Sequence, residues 1–154
     1  MLEKLRVFVY GTLKPGEANY QGYCAAQIIN TERAFTFGTL YALPAGYPAM
    51  TWGETPVHGY IYEFADPTIL IHLDELEDYY PSAPPENNLY NRHQIEVFRY
   101  PTSPKRPKDL QSLGYAWAYI MDDHKIQQLG GQLLPDGWWS GCNLTLEINE
   151  SKLQ

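Results

Sequence analysis

Hydrophobic residues along this chain fall mostly in short runs that alternate with polar ones, and the runs stop at glycines and prolines. That pattern is the mark of strands. Leu5-Arg6-Val7-Phe8-Val9-Tyr10 is β-branched and aromatic and ends at Gly11, which predicts a first strand followed by a turn-rich loop, Gly11 to Gly16. Asn19 can cap a short helix reaching about Ile29, with Tyr20, Cys24 and Ile28 on one face. Strands are expected at about Ala34–Leu43, Val57–Phe64, Tyr90–Tyr100, Tyr115–Met121 and Leu144–Ile148, with a second short helix over Asp123–Leu129. The clearest helix lies between the second and third of these strands. Asp66 is a good N-cap, Pro67 suits the first helical position, and Ile69, Leu70, Leu73 and Leu76 recur at helical spacing. Pro81 stops it, so its end is expected near Asp78–Tyr80. Strands dominate, and the expected fold is α+β: a mixed, barrel-like sheet with a few peripheral helices.

Composition narrows the class. A chain of 154 residues with no repeat and no linker reads as one domain. With 44% hydrophobic and 19% charged residues it has the balance of a globular protein. Tyrosine supplies 13 of the 22 aromatic residues, which agrees with a strand-rich fold. Eighteen acids against 11 Lys and Arg give a net charge of −7, which argues against a nucleic-acid partner. The cluster Lys105, Arg106 and Lys108 reads as a solvated loop tip within Pro101–Gln111. No apolar stretch approaches a membrane span, and Met1–Tyr10 lacks the pattern of a signal peptide, so a cytoplasmic location is expected. Cys24 and Cys142 form no zinc spacing, and none of the four histidines has another at i+3 to i+5. No metal and no cofactor is expected.

The acidic helix carries the most chemical information. At about 100° per residue, with Ile69 at about 0°, Leu76 lies near 340°, Leu73 near 40° and Leu70 near 100°. Glu77 falls near 80°, inside this apolar stripe, while Asp74, Glu75 and Asp78 fall at roughly 140–240°, on the side expected to face water. A carboxylate in the stripe loses solvent, its pKa rises, and it becomes suited to proton transfer near neutrality. The pattern alone leaves open that the helix frays before Glu77 and the side chain turns into solvent. The Gly11–Gly16 loop is neither a Walker loop nor a dinucleotide fingerprint. It reads either as a plain tight turn or as a stretch of bare N–H groups that hold a carboxylate or an oxyanion. Asp74 and Glu77 leave one helix in different directions, unlike a glycosidase pair facing across a sugar. Trp138 and Trp139, after a Leu-Pro-Asp-Gly turn, either cover the core or wall a pocket.

Val7-Phe8-Val9-Tyr10-Gly11-Thr12-Leu13-Lys14-Pro15-Gly16 resembles the opening signature of the γ-glutamylcyclotransferase-like superfamily, closest to its small γ-glutamylamine cyclotransferase-type branch. Further segments agree in order: Gly46-Tyr47-Pro48, then Val57–Phe64, then Leu73-Asp74-Glu75-Leu76-Glu77, then Tyr90-Asn91-Arg92, then Ala116-Trp117-Ala118-Tyr119. The resemblance spans roughly Arg6 to Trp139. It implies a compact β-barrel with peripheral helices and an enzyme that converts a small γ-glutamyl substrate to 5-oxoproline and a free amine or amino acid. It also implies that Glu77 is the catalytic acid/base and that Tyr10, Gly11, Thr12 and Leu13 bind the γ-glutamyl group. Such a cyclisation needs no metal, cofactor or protein nucleophile, because the substrate's own α-amine attacks. Hydroxyls such as those of Tyr10 and Tyr90 are candidates for an added hydrogen bond to substrate. In two places the chain departs from the family pattern: Asp78 stands where glycine usually follows the glutamate, and Gly137-Trp138-Trp139 replaces a Gly-Asp-Trp ending. A non-catalytic binding module of the same fold, or an acyl or aminoacyl transferase acting on another amide, is the alternative reading.

Overall fold

The computed structural model describes residues 5–24, 27–100 and 110–141. Strand β1, Leu5–Val9, pairs antiparallel with β3, Pro48–Phe64, in the register Leu5↔Phe64 to Val9↔Tyr60. Its other edge meets β5, Ser112–Ile120, in parallel at Val7↔Trp117. β5 pairs antiparallel with β4, Asn91–Arg99, which in turn reaches β2, Ile28–Ala42, at Ala34↔Arg99 and Phe35↔Phe98. β2 then pairs antiparallel with β3. The order β3-β1-β5-β4-β2 returns to β3, so the sheet closes into a five-stranded mixed barrel. A short β6, Gln132–Leu133, extends it beside Tyr41 and Ala42. Helices α1, Ile69–Leu76, and α2, Asp123–Gln128, pack outside.

The continuous apolar run in β1 follows from this closure, because a strand between barrel interior and covering helix is buried on both faces. Phe8 and Tyr10 join an inner core with Leu40, Val57, Ile61, Val97 and Trp139. Val7 and Val9 face an outer core with Phe64, Ile69, Leu73, Tyr119 and Ile126. β1 thus ties α1 to the barrel, and the chain leaving β1 emerges beside the end of α1.

Several element boundaries differ from the sequence expectation: α1 stops at Leu76, short of Asp78–Tyr80, and β5 starts at Ser112, ahead of Tyr115. In place of a helix from Asn19 to Ile29 there is one turn of π-helix, Tyr20–Cys24, and β2 already begins at Ile28. The β-branched pair Ile28-Ile29 joins the edge of β3, with Ile28 opposite Phe64, and Gly22 weakens the competing helix. β2 therefore carries the polar stretch 30–33 in strand form, held by pairing with Tyr60–Glu63 and not by its own alternation. β3 starts nine residues before Val57, since the segment from Pro48 pairs with Ala42–Thr39 before a register shift at Gly38/Thr39. The exposed stretch Trp52 to Pro56 is strand around that bulge. The strand expected at Leu144–Ile148, most of the Pro101–Gln111 loop and Cys142 lie outside the described residues. No helix among the described residues is long and apolar enough to cross a membrane.

Candidate active site

α1 begins with a turn in which the Asp66 carboxylate accepts hydrogen bonds from the Thr68 N–H (2.9 Å) and hydroxyl (2.8 Å). The expected N-cap is corrected: Thr68 caps the regular helix, and Asp66 and Pro67 belong to the turn before it, where the Asp66 carboxylate holds Thr68. Leu73 is fully buried and anchors the helix on the outer core. The helix ends at Leu76, and Glu77 is its C-cap, its N–H donating to Leu73 O at 3.0 Å. The side chain does not swing out. It lines a cavity of about 310 Å³ together with Tyr10, Gly11, Thr12, Leu13 and Tyr90. All six residues singled out from sequence therefore meet at one place. Burial pushes the Glu77 carboxyl from its ordinary 4.5 up to about 7, and the negative charge of Asp78 adds to the rise.

Two expectations about the neighbouring acids are corrected. Asp74 does not face water: it is buried, its carboxylate accepting from Arg92 Nε at 2.9 Å and from the Tyr119 hydroxyl at 2.7 Å. The covered arc of α1 is wider than its apolar stripe because the β4–β5 hairpin packs over the Asp74 side. Asp78 does not point away either. The helical wheel stops applying after Glu77: Asp78 takes a left-handed conformation, φ 51°, and is part of the cavity lining. That backbone geometry is natural for glycine and tolerated by aspartate.

The motif residues acquire separate physical jobs. Leu73 packs, Asp74 locks α1 to Arg92 and Tyr119, and Glu77 projects into the cavity. Arg92 also lies over the Trp117 ring, 4.4 Å from its centroid. Removing the guanidinium leaves Asp74 shielded from water with one hydroxyl partner. Arg92→Met is expected to destabilise the fold by about 2 kcal/mol, less than a fully buried pair would lose because the pair keeps some solvent contact. Urea unfolding at pH 7 measures it.

The loop after β1 is folded back on itself. Gly11 O accepts from Lys14 N (3.0 Å), Thr12 O from Asn19 N (2.8 Å) and Leu13 O from the Tyr62 hydroxyl (2.6 Å). Its carbonyls are thus engaged, whereas the N–H groups of Gly11, Thr12 and Leu13 donate to no described residue. Successive backbone N–H groups of this kind suit an anion where they face a cavity. Gly11 is needed here because a Cβ would sit 2.6 Å from Pro48 Cγ, across the cavity floor. Beneath the loop, buried Lys14 donates to Trp139 O and lies 3.5 Å from the centroid of the Trp138 ring. Trp139 is core, and neither tryptophan is among the cavity-lining residues.

The tyrosines divide differently from the sequence expectation. Tyr10 donates to Tyr119 O (2.6 Å) and accepts from Met50 N (3.2 Å), and Tyr90 donates to Pro48 O (2.6 Å). Their hydroxyl protons are committed to the barrel, and burial keeps both phenols neutral, so they shape the cavity instead of donating to a ligand. Tyr47, Asn19, Pro48 and Tyr119 also line it and were not on the sequence-based site list. Tyr47, Pro48 and Tyr119 belong to segments already singled out, while Asn19 reads from sequence only as a helix cap. Among the described residues no three His, Cys, Asp or Glu side chains converge as metal ligands would.

A family model for γ-glutamyl cyclotransferase, AIG2-like, matches residues 7–141, which include every residue of this cavity. The chain belongs to the AIG2-like γ-glutamyl cyclotransferase family. It is 34% identical over 124 residues to a candidate γ-glutamylcyclotransferase of Vibrio cholerae, covering 80% of this chain and 88% of that protein. It is 30% identical over 118 residues to the γ-L-glutamyl-butirosin B γ-glutamyl cyclotransferase of Niallia circulans, covering 77% and 69%. The crystal structure of an AIG2-like protein from Mus musculus superposes with a TM-score of 0.64 over 90% of both chains at 24% identity, so the two share a fold. The AIG2-like cyclotransferase barrel thus places the end of β1 and the end of α1 on one cavity, with the Asp74–Arg92 pair holding α1 to β4.

Proposed function

We propose that this protein is a single-domain, cofactor-independent cyclotransferase that releases 5-oxoproline and a free amine from γ-glutamyl amines or small γ-glutamyl peptides, with Glu77 as general acid/base. The carrying observation is the Glu77 carboxyl, raised to about 7 in a cavity also lined by Gly11, Thr12 and Leu13, whose N–H groups donate to no described residue. A group with that pKa can both take and return a proton near neutrality.

The substrate's α-amine nitrogen attacks its own γ-carbonyl carbon, closing a five-membered ring. Ionised Glu77 takes the proton from the attacking nitrogen. The carbonyl oxygen becomes an oxyanion, which the N–H groups of the Gly11–Leu13 loop are suited to stabilise. Protonated Glu77 then gives its proton to the leaving nitrogen, the original C–N bond breaks, and the carboxylate is restored. No water is consumed. The enzyme's main task is to hold the chain folded in an attack geometry, and the Tyr10, Tyr47 and Tyr90 walls suit that purpose.

The test is to incubate the protein with a γ-glutamyl amine, γ-glutamyl dipeptides and glutathione, and to measure 5-oxoproline and free amine. They are expected in equal amounts from at least one class. Amide cleavage without 5-oxoproline would point to acyl transfer, and binding without turnover to a non-catalytic module; either result defeats the proposal.

A further inference from the structure

The cavity is graded from buried to open. Gly11, Leu13 and Tyr90 are buried at its floor, and Asp78 is the exposed residue of its lining. Its two ionisable groups other than phenols are both acids, Glu77 and Asp78, and no Lys, Arg or His among the described residues lines it. On the proposed reading, the γ-glutamyl head must enter as far as the Gly11–Leu13 loop to be cyclised. The leaving amine then points outward, past Glu77 and through the rim where Asp78 stands. Asp78 holds its place in the lining with a left-handed backbone, φ 51°; a glycine at this position would satisfy the backbone and bring no charge.

From this geometry we infer that Asp78 is a specificity determinant that selects γ-glutamyl amides whose leaving amine carries a second, positive charge. The inference rests on the cyclotransferase reading above. A cation in the leaving group meets a rim carboxylate that no basic side chain of the described lining opposes, whereas an anionic leaving group meets like charge there. The Glu77 carboxyl is itself sensitive to the Asp78 charge, which agrees with the two facing one space.

Three γ-glutamyl amides of matched length separate charge from size: those of 1,5-diaminopentane, n-hexylamine and 6-aminohexanoate. The readout is kcat/KM for 5-oxoproline release at low salt, taken as ratios between substrates so that any change in Glu77 basicity cancels. The native protein is expected to favour the ammonium over the neutral amide by about five- to tenfold, and the carboxylate least. Asp78→Asn and Asp78→Gly, both compatible with the left-handed backbone, are expected to lower the ammonium-to-neutral ratio by about fivefold. Raising the ionic strength should compress the native ratio, since the rim is open to solvent. A ratio that survives in both variants overturns the inference, as does a native preference for the neutral amide. Equal losses on all three substrates would instead put Asp78 beside the γ-glutamyl α-ammonium, and also overturn it. Absence of 5-oxoproline from all three is a different failure: it removes the cyclotransferase reading and this inference with it.

Discussion

Glu77→Gln is expected to remain folded and to lose about 10³-fold in the rate of 5-oxoproline release. Glutamine keeps the size and hydrogen-bonding shape of the side chain but neither accepts the amine proton nor donates one to the leaving nitrogen. The loss should appear in kcat with little change in KM, because the proposed function has the γ-glutamyl head held by the loop after β1 and by the tyrosine walls. Residual turnover would come from positioning and from the loop N–H groups alone. Glu75→Gln is the matched control: Glu75 lies in the same turn of α1, is exposed, and is not part of the cavity lining. It should change the rate by less than about twofold. Full activity in Glu77→Gln would remove Glu77 from the mechanism, and equal losses in both variants would mean that the helix, not the carboxyl, is what matters.

How much of this was legible beforehand depends on whether the information was local. The buried run Val7–Tyr10 and the glycine that ends it are local, so β1 and its loop read correctly. The wheel placed Glu77 correctly because residues 69–76 are helical, Glu77 as C-cap still donates its N–H to Leu73 O, and it lies near the middle of the covered arc. It misplaced Asp74 because the wheel measures apolarity, and a carboxylate paired with Arg92 and Tyr119 is buried without being apolar. It misplaced Asp78 because a helix C-terminus is set by backbone conformation one residue past the last regular turn. The helix expected over 19–29 lost to pairing with a strand more than thirty positions away, which no local window contains. The hydroxyl commitments of Tyr10 and Tyr90 were equally invisible, since their acceptors are backbone atoms of other strands.

The same ionisation that arms Glu77 should also cost stability, with a definite sign. In the unfolded chain its carboxyl titrates near 4.5, and in the folded protein burial moves it to about 7. Between those values the folded state holds a proton that the unfolded state has released, so stability falls as pH rises. The contribution of Glu77 is fully present below about 4.5 and lost once pH passes about 7. Converted at about 1.4 kcal/mol per pK unit, the whole penalty is roughly 3 kcal/mol. Glutamine escapes it. Urea unfolding should therefore find Glu77→Gln gaining on the native protein by roughly 2 kcal/mol more at pH 8 than at pH 5, while its catalysis is nearly gone. The activity of the native protein should rise over the same interval, because the base form appears as the stability is given up. Replacing Asp78 by Asn should shift both curves to lower pH together, since the Asp78 charge contributes to the raised value. A stability difference between native and Glu77→Gln protein that stays flat from pH 5 to pH 8 would mean that the carboxyl is not desolvated in solution. The proton-transfer role would then lose its physical basis even if the residue proved essential.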